Sequence, residues 1–457
     1  MARFALLFIS RPFDVRSSSG WRVALALLCA FALTPRTTAA QTTLTLDDAM
    51  SRARADTAEA RALASSIAEA DARIRQARAG FWPRIDLSEV VQRGNQPVYV
   101  FGSLLSQRRF SEANFAIAAL NRPEPLTNTR TALAVEQPVF DAGLARLAVR
   151  SAGLQRDAAT AERDRTAQDL AFRAAEAFVR VLQLDAAVRA TDAAVTAAQS
   201  DLERARARRD AGLVTEADVL AIDVHLADMR QRQIAASGEL AVSRIQLADA
   251  IGVPLNTGLV PERPAPRPVG ADADALVREA MKTAPQRRQA AAGEALADIA
   301  RRTARAALLP TVGLQAGWEF NGATVGSQES SWIVGAEVRL NLFRGFADAA
   351  RLVEARHAQA RAAAERERVD RTIEVNVRAA LARVTAARAR EDAGRAALAQ
   401  ARESQRIIRD RYEGGLATAT DMLRAAEATL DAESRATAAE TDVILQTVAL
   451  DRALGRL

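Results

Sequence analysis

Hydrophobic positions along this chain keep two different periods, and the expected element changes where the period changes. From about residue 141 to 210, Ala174, Val181, Val188, Val195 and Leu202 recur at steps of seven, flanked by Leu170, Ala177, Leu184 and Ala198. An apolar repeat of seven predicts a long helix packed as a coiled coil. Ile373, Ala380, Ala387, Gly394, Ala401 and Ile408 form a second row of the same kind. Elsewhere the period drops to two. In "TVGLQAGWE", Val312, Leu314, Ala316 and Trp318 share one face, against Thr311, Gly313, Gln315, Gly317 and Glu319 on the other. "VGAEVRLNL" sets Val334, Ala336, Val338, Leu340 and Leu342 against Glu337, Arg339 and Asn341. Such alternation predicts half-buried strands. "RIDLSEVV" and "TALAVEQPV" alternate less cleanly, with Ile85, Leu87, Leu133 and Val135 as their apolar members.

These elements come twice. "GLVTEADVL" (212–220) returns as "GLATATDML" (415–423), and "QLADAIG" (246–252) as "ALDRALG" (449–455), both at an offset of 203. Upstream the offset is 227, with Pro83 answering Pro310, so the first copy carries 24 extra residues, around "GNQPVYVFGSLLSQRRF". The fold class expected is mainly α with a small β part, built as a duplicated helix, hairpin, long helix, helix repeat. The first repeat, 41–251, has helices expected at about 46–80, 141–210 and 216–250, and strands at about 83–93 and 129–139. A Pro-rich stretch at 252–270 reads as an extended linker. In the second repeat, 271–457, helices are expected at about 272–307, 345–412 and 418–454, and strands at about 311–320 and 332–342. At a rise of 1.5 Å per residue, a helix of about 70 residues runs roughly 105 Å, which implies a rod or tube.

Composition narrows the function classes. The 457 residues are 49% hydrophobic and 26% charged but only 4% aromatic. Alanine and arginine dominate, a bias that suits long helices packed through small side chains. One cysteine, Cys29, and two histidines, His225 and His357, argue against Cys/His metal sites and a His general base. No Ser-His-Asp set, phosphate loop or cysteine pair is legible, so no enzyme activity, cofactor or metal is expected. Arg3, Arg11, Arg16 and Arg22 precede "VALALLCAFAL" and then "TPRTTAAQ", which reads as an export signal over residues 1–40 cleaved after Ala40. The apolar run is too short to span a bilayer. Residues 1–40 hold five arginines and one aspartate, so of the formal +6 only about +2 belongs to the remainder. The sequence pI near 10.5 therefore gives no support for a nucleic-acid partner. His225, between Asp223 and Asp228, reads as a packing or surface residue, and "ERARARRDAG" (203–212) as a solvated helix face.

One-sided strands in an exported chain suit either a sheet sealed on a globular core or a membrane barrel. Aromatics gather in or beside the strand segments, among them Phe81, Trp82, Tyr99, Phe101, Trp318, Phe320, Trp332 and Phe346. Bilayer interfaces concentrate aromatics in that way, which favours the barrel. Four strands cannot close one, so several copies are expected to contribute.

"FWP" and "LLP" stand before the first strand of each hairpin, "QPVF" and "LNLF" before each long helix, and "GLVTEAD" and "YEGGLATATD" at the turns. In the order and doubling of these phrases the chain resembles the outer-membrane efflux protein (TolC) family, over nearly all of its length beyond residue 40. The resemblance implies a homotrimer whose twelve-stranded β-barrel meets outer-membrane lipid and continues into a periplasmic α-helical barrel. It implies the exit duct of a tripartite efflux or type I secretion system in a Gram-negative-type bacterium, docked to a periplasmic adaptor (membrane fusion) protein and an inner-membrane pump. The competing reading, a periplasmic coiled-coil structural or adaptor protein without a pore, leaves the alternating strands without a use.

The repeated phrase is the expected site. Thr215 with Asp218, and Thr418 with Asp421, have the spacing of capping boxes, and Gly212 and Gly415 suit a tight turn. The resemblance adds that Asp218 and Asp421 line the periplasmic entrance and that Tyr412 is a gate residue. Tyr412 also falls in the heptad register, so packing remains an equal reading. A ring of carboxylates around a symmetry axis would favour cations. Gly212, Leu213, Thr215, Gly415, Leu416 and Thr418 form the tips expected to dock the adaptor. Ala417 and Arg424 stand where a family gate-locking ion pair would have an arginine and a second aspartate, and Arg424 is expected to weaken the acidic ring.

Overall fold

A computed structural model describes residues 42–457 apart from 56 and 271, so the expected export signal and Cys29 lie outside the described residues. Strand β1 (Thr42–Leu44) leads into α1 (Leu46–Ala55), α2 (Ala58–Arg78) and β2 (Arg84–Gly94). The extra segment of the first repeat forms α3 (Pro97–Ser106) and the short α4 (Ile117–Asn121) before β3 (Leu126–Phe140). Then come α5 (Leu144–Asp210), α6 (Glu216–Ala250) and β4 (Leu259–Pro261). The second repeat supplies α7 (Ala273–Thr283), α8 (Pro285–Ala306), β5 (Thr311–Gly322), β6 (Gln328–Arg339), α9 (Ala347–Glu413) and α10 (Ala419–Ala453).

Duplication is exact in length where it matters most. α5 and α9 each have 67 residues, and α6 and α10 each have 35. A helix of that longer length spans about 100 Å. α6 packs along one half of α5 and α10 along the same half of α9, while α1 and α2 line the other half of α5, and α8 lies between α5 and α9. The seams use small side chains, which let backbones approach closely: a Cβ on Gly394 would lie 3.4 Å from the Cα of Ala436.

Two expected helices are each broken once, at matching positions of the two repeats. The helix expected over 46–80 stops at Ala55 and restarts at Ala58, where the Thr57 hydroxyl accepts from the Ala60 amide (3.2 Å) and donates to the Ala53 carbonyl (3.0 Å). The helix expected over 272–307 breaks at Ala284, extended at φ −60°, ψ 122°, because Pro285 follows as the first helical residue. Thr57 and Ala284 correspond at the 227 offset, so an N-cap in one copy and a proline in the other make the same bend. The expected linker is pinned rather than free: β4 pairs in parallel with β1, Arg263 pairs with Glu440, and Arg267 pairs with Asp47 and lies 3.8 Å from Asp451.

Each break borders a core: Thr57 the principal one and Ala284 a second. Leu44, Leu46, Ala49, Met50 and Ala53 close over Leu170, Ala171, Ala174, Ala175, Phe178 and Val181 of α5, with Leu247 of α6 and Ile251 just past its end. A second core joins Leu276 and Ala280 of α7 to Ile373, Val377, Ala380 and Val384 of α9.

Away from this belt lies a four-stranded antiparallel sheet in the order β2-β3-β5-β6. Its register lines Leu87, Leu133, Trp318 and Trp332 in one cross-strand row, and Ile85, Val135, Ala316 and Val334 in the next. Those rows form one apolar face, exposed at Leu87 (73%) and Trp332 (72%). The opposite face is polar: Arg84 pairs with Asp86 (2.7 Å), Arg130 with Glu319, and Glu337 accepts from Gln315 (3.0 Å) and Arg339 (2.8 Å). Among the described residues no helix is long and apolar enough to cross a membrane.

Phe178, fully buried at the centre of the principal core, sets the first prediction. Phe178→Ala should cost about 4 kcal/mol of stability, measured as a shift of the chemical denaturation midpoint. A loss under about 1 kcal/mol would show that the α1 seal contributes little.

Candidate functional site

Both helical hairpins end in the same turn, and local chemistry explains why. At the first tip, Gly212 takes φ +73° and Leu213 donates its amide to the Arg208 carbonyl (2.8 Å); at the second, Gly415 takes φ +71° and Leu416 donates to the Arg411 carbonyl (2.7 Å). A positive φ is a conformation glycine adopts without steric cost. Thr215 and Thr418 then cap α6 and α10. Each hydroxyl accepts from the aspartate amide three residues on (3.2 Å), and each threonine amide donates back to that aspartate's Oδ2 (3.1 Å). Asp218 and Asp421 thus complete two capping boxes, each carboxylate also accepting from its threonine hydroxyl at 2.7 Å. The Thr418 hydroxyl and amide, in that order, hold the Asp421 carboxyl below the usual aspartate range, helped by Arg424 and Arg411. Arg424 and Asp421 are exposed, and Leu213 (67%) and Leu416 (72%) stand bare at the tips.

Tyr412 is not at the surface. It packs among Leu202, Ala205, Val219, Ile222, Met229 and Met422, the core that joins the two hairpins near their tips. Its hydroxyl is buried without a hydrogen-bond partner, and burial pushes its pKa up. Arg208 crosses from the first repeat to the second: its guanidinium lies 5.2 Å from the Tyr412 ring centre, and its Nη1 donates to the Glu413 carbonyl at 3.1 Å. That contact combines a cation on an aromatic face with a donor at a helix C-terminus, where the macrodipole is negative. Two turns back along α5, Asp201 is nearly buried between Arg204 of its own helix and Arg409 of α9 (3.4 Å).

The geometry therefore brings Tyr412 together with Arg208, while Asp218 and Asp421 turn back on their own threonines. Arg208, Asp201 and Arg409 escaped sequence reasoning. Arg208 lies inside "ERARARRDAG", expected to be a solvated face, and its arginines divide the work. Arg209 stays outside with Asp210 (2.7 Å) and Glu216 (3.1 Å), while Arg208 bridges the repeats. The available signal was an arginine one turn before a glycine in one repeat and a tyrosine three residues before a glycine in the other. His225 faces Glu427 of α10 (3.6 Å), and its neighbours Asp223 and Asp228 turn to Arg206 (3.9 Å) and Arg232 (2.7 Å).

Doubled hairpins on long helices, with a one-sided sheet at the far end, define a class of outer-membrane channel protein. The chain belongs to the outer membrane efflux protein family, whose model matches residues 49–253 and 276–456. It is 28% identical over 341 residues to protein CyaE of Bordetella pertussis, covering 72% of this chain and 71% of that one. The fold is similar to the outer membrane protein VceC of Vibrio cholerae, with a TM-score of 0.73 and 20% identity over 90% of this chain and 96% of that one. It is also similar to the outer membrane channel CmeC of Campylobacter jejuni, with a TM-score of 0.76 and 14% identity over 90% and 85%.

The caps yield a local prediction. Thr418→Ala should cost about 1 kcal/mol and speed hydrogen exchange at the Asp421 amide, leaving the matching amide of Asp218 unchanged. Gly415→Ala should cost a similar amount through its positive φ. An Asp421 amide with unaltered protection in Thr418→Ala would remove the capping box from the account of this turn.

Proposed function

We propose that three copies of this chain form a passive exit duct in the outer membrane, reaching through the periplasm to a periplasmic adaptor and an inner-membrane pump of a tripartite efflux or type I secretion system. The observation that carries this reading is the sheet. It has an apolar face, a polar face and two outer strands, β2 and β6, whose far edges have no partner among the described residues. Unpaired edges are not tolerated in hydrocarbon, so β6 of one copy pairs with β2 of the next until the sheet closes, lipid outside and water inside. Exposed apolar positions along α6, namely Leu220, Val224, Ile234, Val242 and Ile245, support the same closure among the helices. In this reading residues 1–40 are a cleaved export signal.

At the entrance, the tips carry the roles. Asp218 and Asp421 cap their helices with one oxygen and present the remaining charge to the pore, where copies of Asp421 around the axis favour cations; Arg424, one turn on, tempers that ring. Tyr412 and Arg208 hold the second hairpin against the first, replacing the ion pair that Ala417 and Arg424 remove. Leu213 and Leu416, presented by Gly212, Thr215, Gly415 and Thr418, offer the adaptor its apolar contacts.

Purified protein should run as a detergent-soluble trimer and conduct ions in planar bilayers, and a monomer without conductance sinks the proposal. Asp421→Ala should lower cation over anion selectivity by about half or more. Because the folded pKa of Asp421 is depressed, its cap and its charge are present above the unfolded value near 4. Both are lost as pH falls through the lower folded value, so wild-type selectivity should be flat from pH 8 to 5. Arg208→Ala should raise the open probability several-fold at unchanged trimer content, since it frees one hairpin tip from the other.

A further inference from the structure

The 24 extra residues of the first repeat fold inward. α3 buries Val100, Ser103 and Gln107, positions on one helical stripe, against the sheet. Gln107 Nε2 donates to the Thr127 carbonyl (3.0 Å) and to Asn128 Oδ1 (2.9 Å), and Asn128 Nδ2 donates to Asn321 Oδ1 (2.9 Å). Arg108 reaches β6, donating to the Ser330 carbonyl (3.2 Å) and lying 3.4 Å from Glu329. At the other edge Tyr99 donates to the Gln92 carbonyl (2.7 Å). Asn321 opposes both Arg130 and Glu329, and Asn128 opposes Gln92, so the side chains that receive this segment share the polar face of Arg130 and Glu319. The segment therefore crosses the sheet from β2 to β6 on its polar side. The matching loop of the second repeat, 323–327, is too short to do so.

The outer surface of the segment is apolar. Phe110 stacks edge-on with Phe101 (4.7 Å) and Phe115 (5.1 Å), which ties the turn after α3 back to the helix. Val98 is 87% exposed and Leu105 51%, seven residues apart on the stripe roughly opposite Val100, and Ile117, at the start of α4, is 77% exposed. Lipid cannot cover these residues, because the lipid-facing rows lie on the other side of the sheet.

Resting on the channel reading above, we propose that this segment is an exit constriction: in the closed barrel the α3 segments of neighbouring copies meet around the axis through Val98 and Leu105. The occupant of each bare apolar surface is thus the same segment of another copy. Burial of that apolar surface among copies removes it from water, which is favourable. An apolar ring at the mouth holds back hydrated ions by dewetting. Hydrogen bonds from Gln107 and Arg108 to the rim fix how far the ring closes.

The test records single-channel conductance of the full chain in potassium chloride beside the double variant Val98→Asp, Leu105→Asp, whose sites are exposed and leave the fold intact. Conductance should rise at least twofold. In a Cys29→Ala background, Val98→Cys should oxidise with copper phenanthroline to a covalent dimer on a denaturing gel, while Arg93→Cys, outside the segment, should stay monomeric. A conducting wild-type trimer whose conductance the double variant leaves unchanged, or whose Val98→Cys gives no covalent dimer, overturns this inference alone. A wild type that forms neither trimer nor channel overturns the transport reading, and the constriction with it.

Discussion

A strand edge inside hydrocarbon must find a partner, and that constraint governs this molecule. Each edge peptide left bare would forfeit hydrogen bonds that water cannot restore in the bilayer core. The sheet of β2, β3, β5 and β6 leaves two such edges and has one face of leucine, isoleucine, valine and tryptophan. In the channel reading such a chain is a segment of a wall rather than a complete body. The rest of its architecture holds that segment at the end of helices long enough to reach another compartment.

The helical part meets a different demand, which is to be long and stiff without a bulky core. Alanine and glycine seams let α5 with α6, and α9 with α10, run close together. The two bends at Thr57 and Ala284 fold short helices onto the long ones, and the pinned linker closes the belt around Phe178. Near the tips an apolar core around Tyr412 joins one repeat to the other, with Arg208 over the Tyr412 ring and Asp201 beside Arg409. In the channel reading proposed above, the cation on the Tyr412 ring and the bond to the Glu413 carbonyl are the polar part of the joint that a docking partner would have to undo.

Much of the site was legible because its chemistry is local. Thr215 with Asp218, and Thr418 with Asp421, act over three residues, so their spacing alone specifies the caps, and the turn glycines announce themselves beside them. Tyr412 was legible as a position and open as a role, since heptad register and gate function give the same residue. Arg208 was not legible. Its partner carbonyl lies 205 residues away, and nothing in an arginine-rich run tells which side chain faces water and which crosses to the other repeat.

The sequence by itself determined the doubling, the two periods, the tips and the two-faced strands, because each follows from the residues a few places apart that share a helix stripe or a strand face. Tertiary structure alone decided where the repeats touch, that α1 seals the central core, and that α3 lies on the polar side of the sheet. Such contacts depend on which long-range surfaces compete for burial once the helices and strands exist. A pattern with a period of two or seven carries no record of that competition.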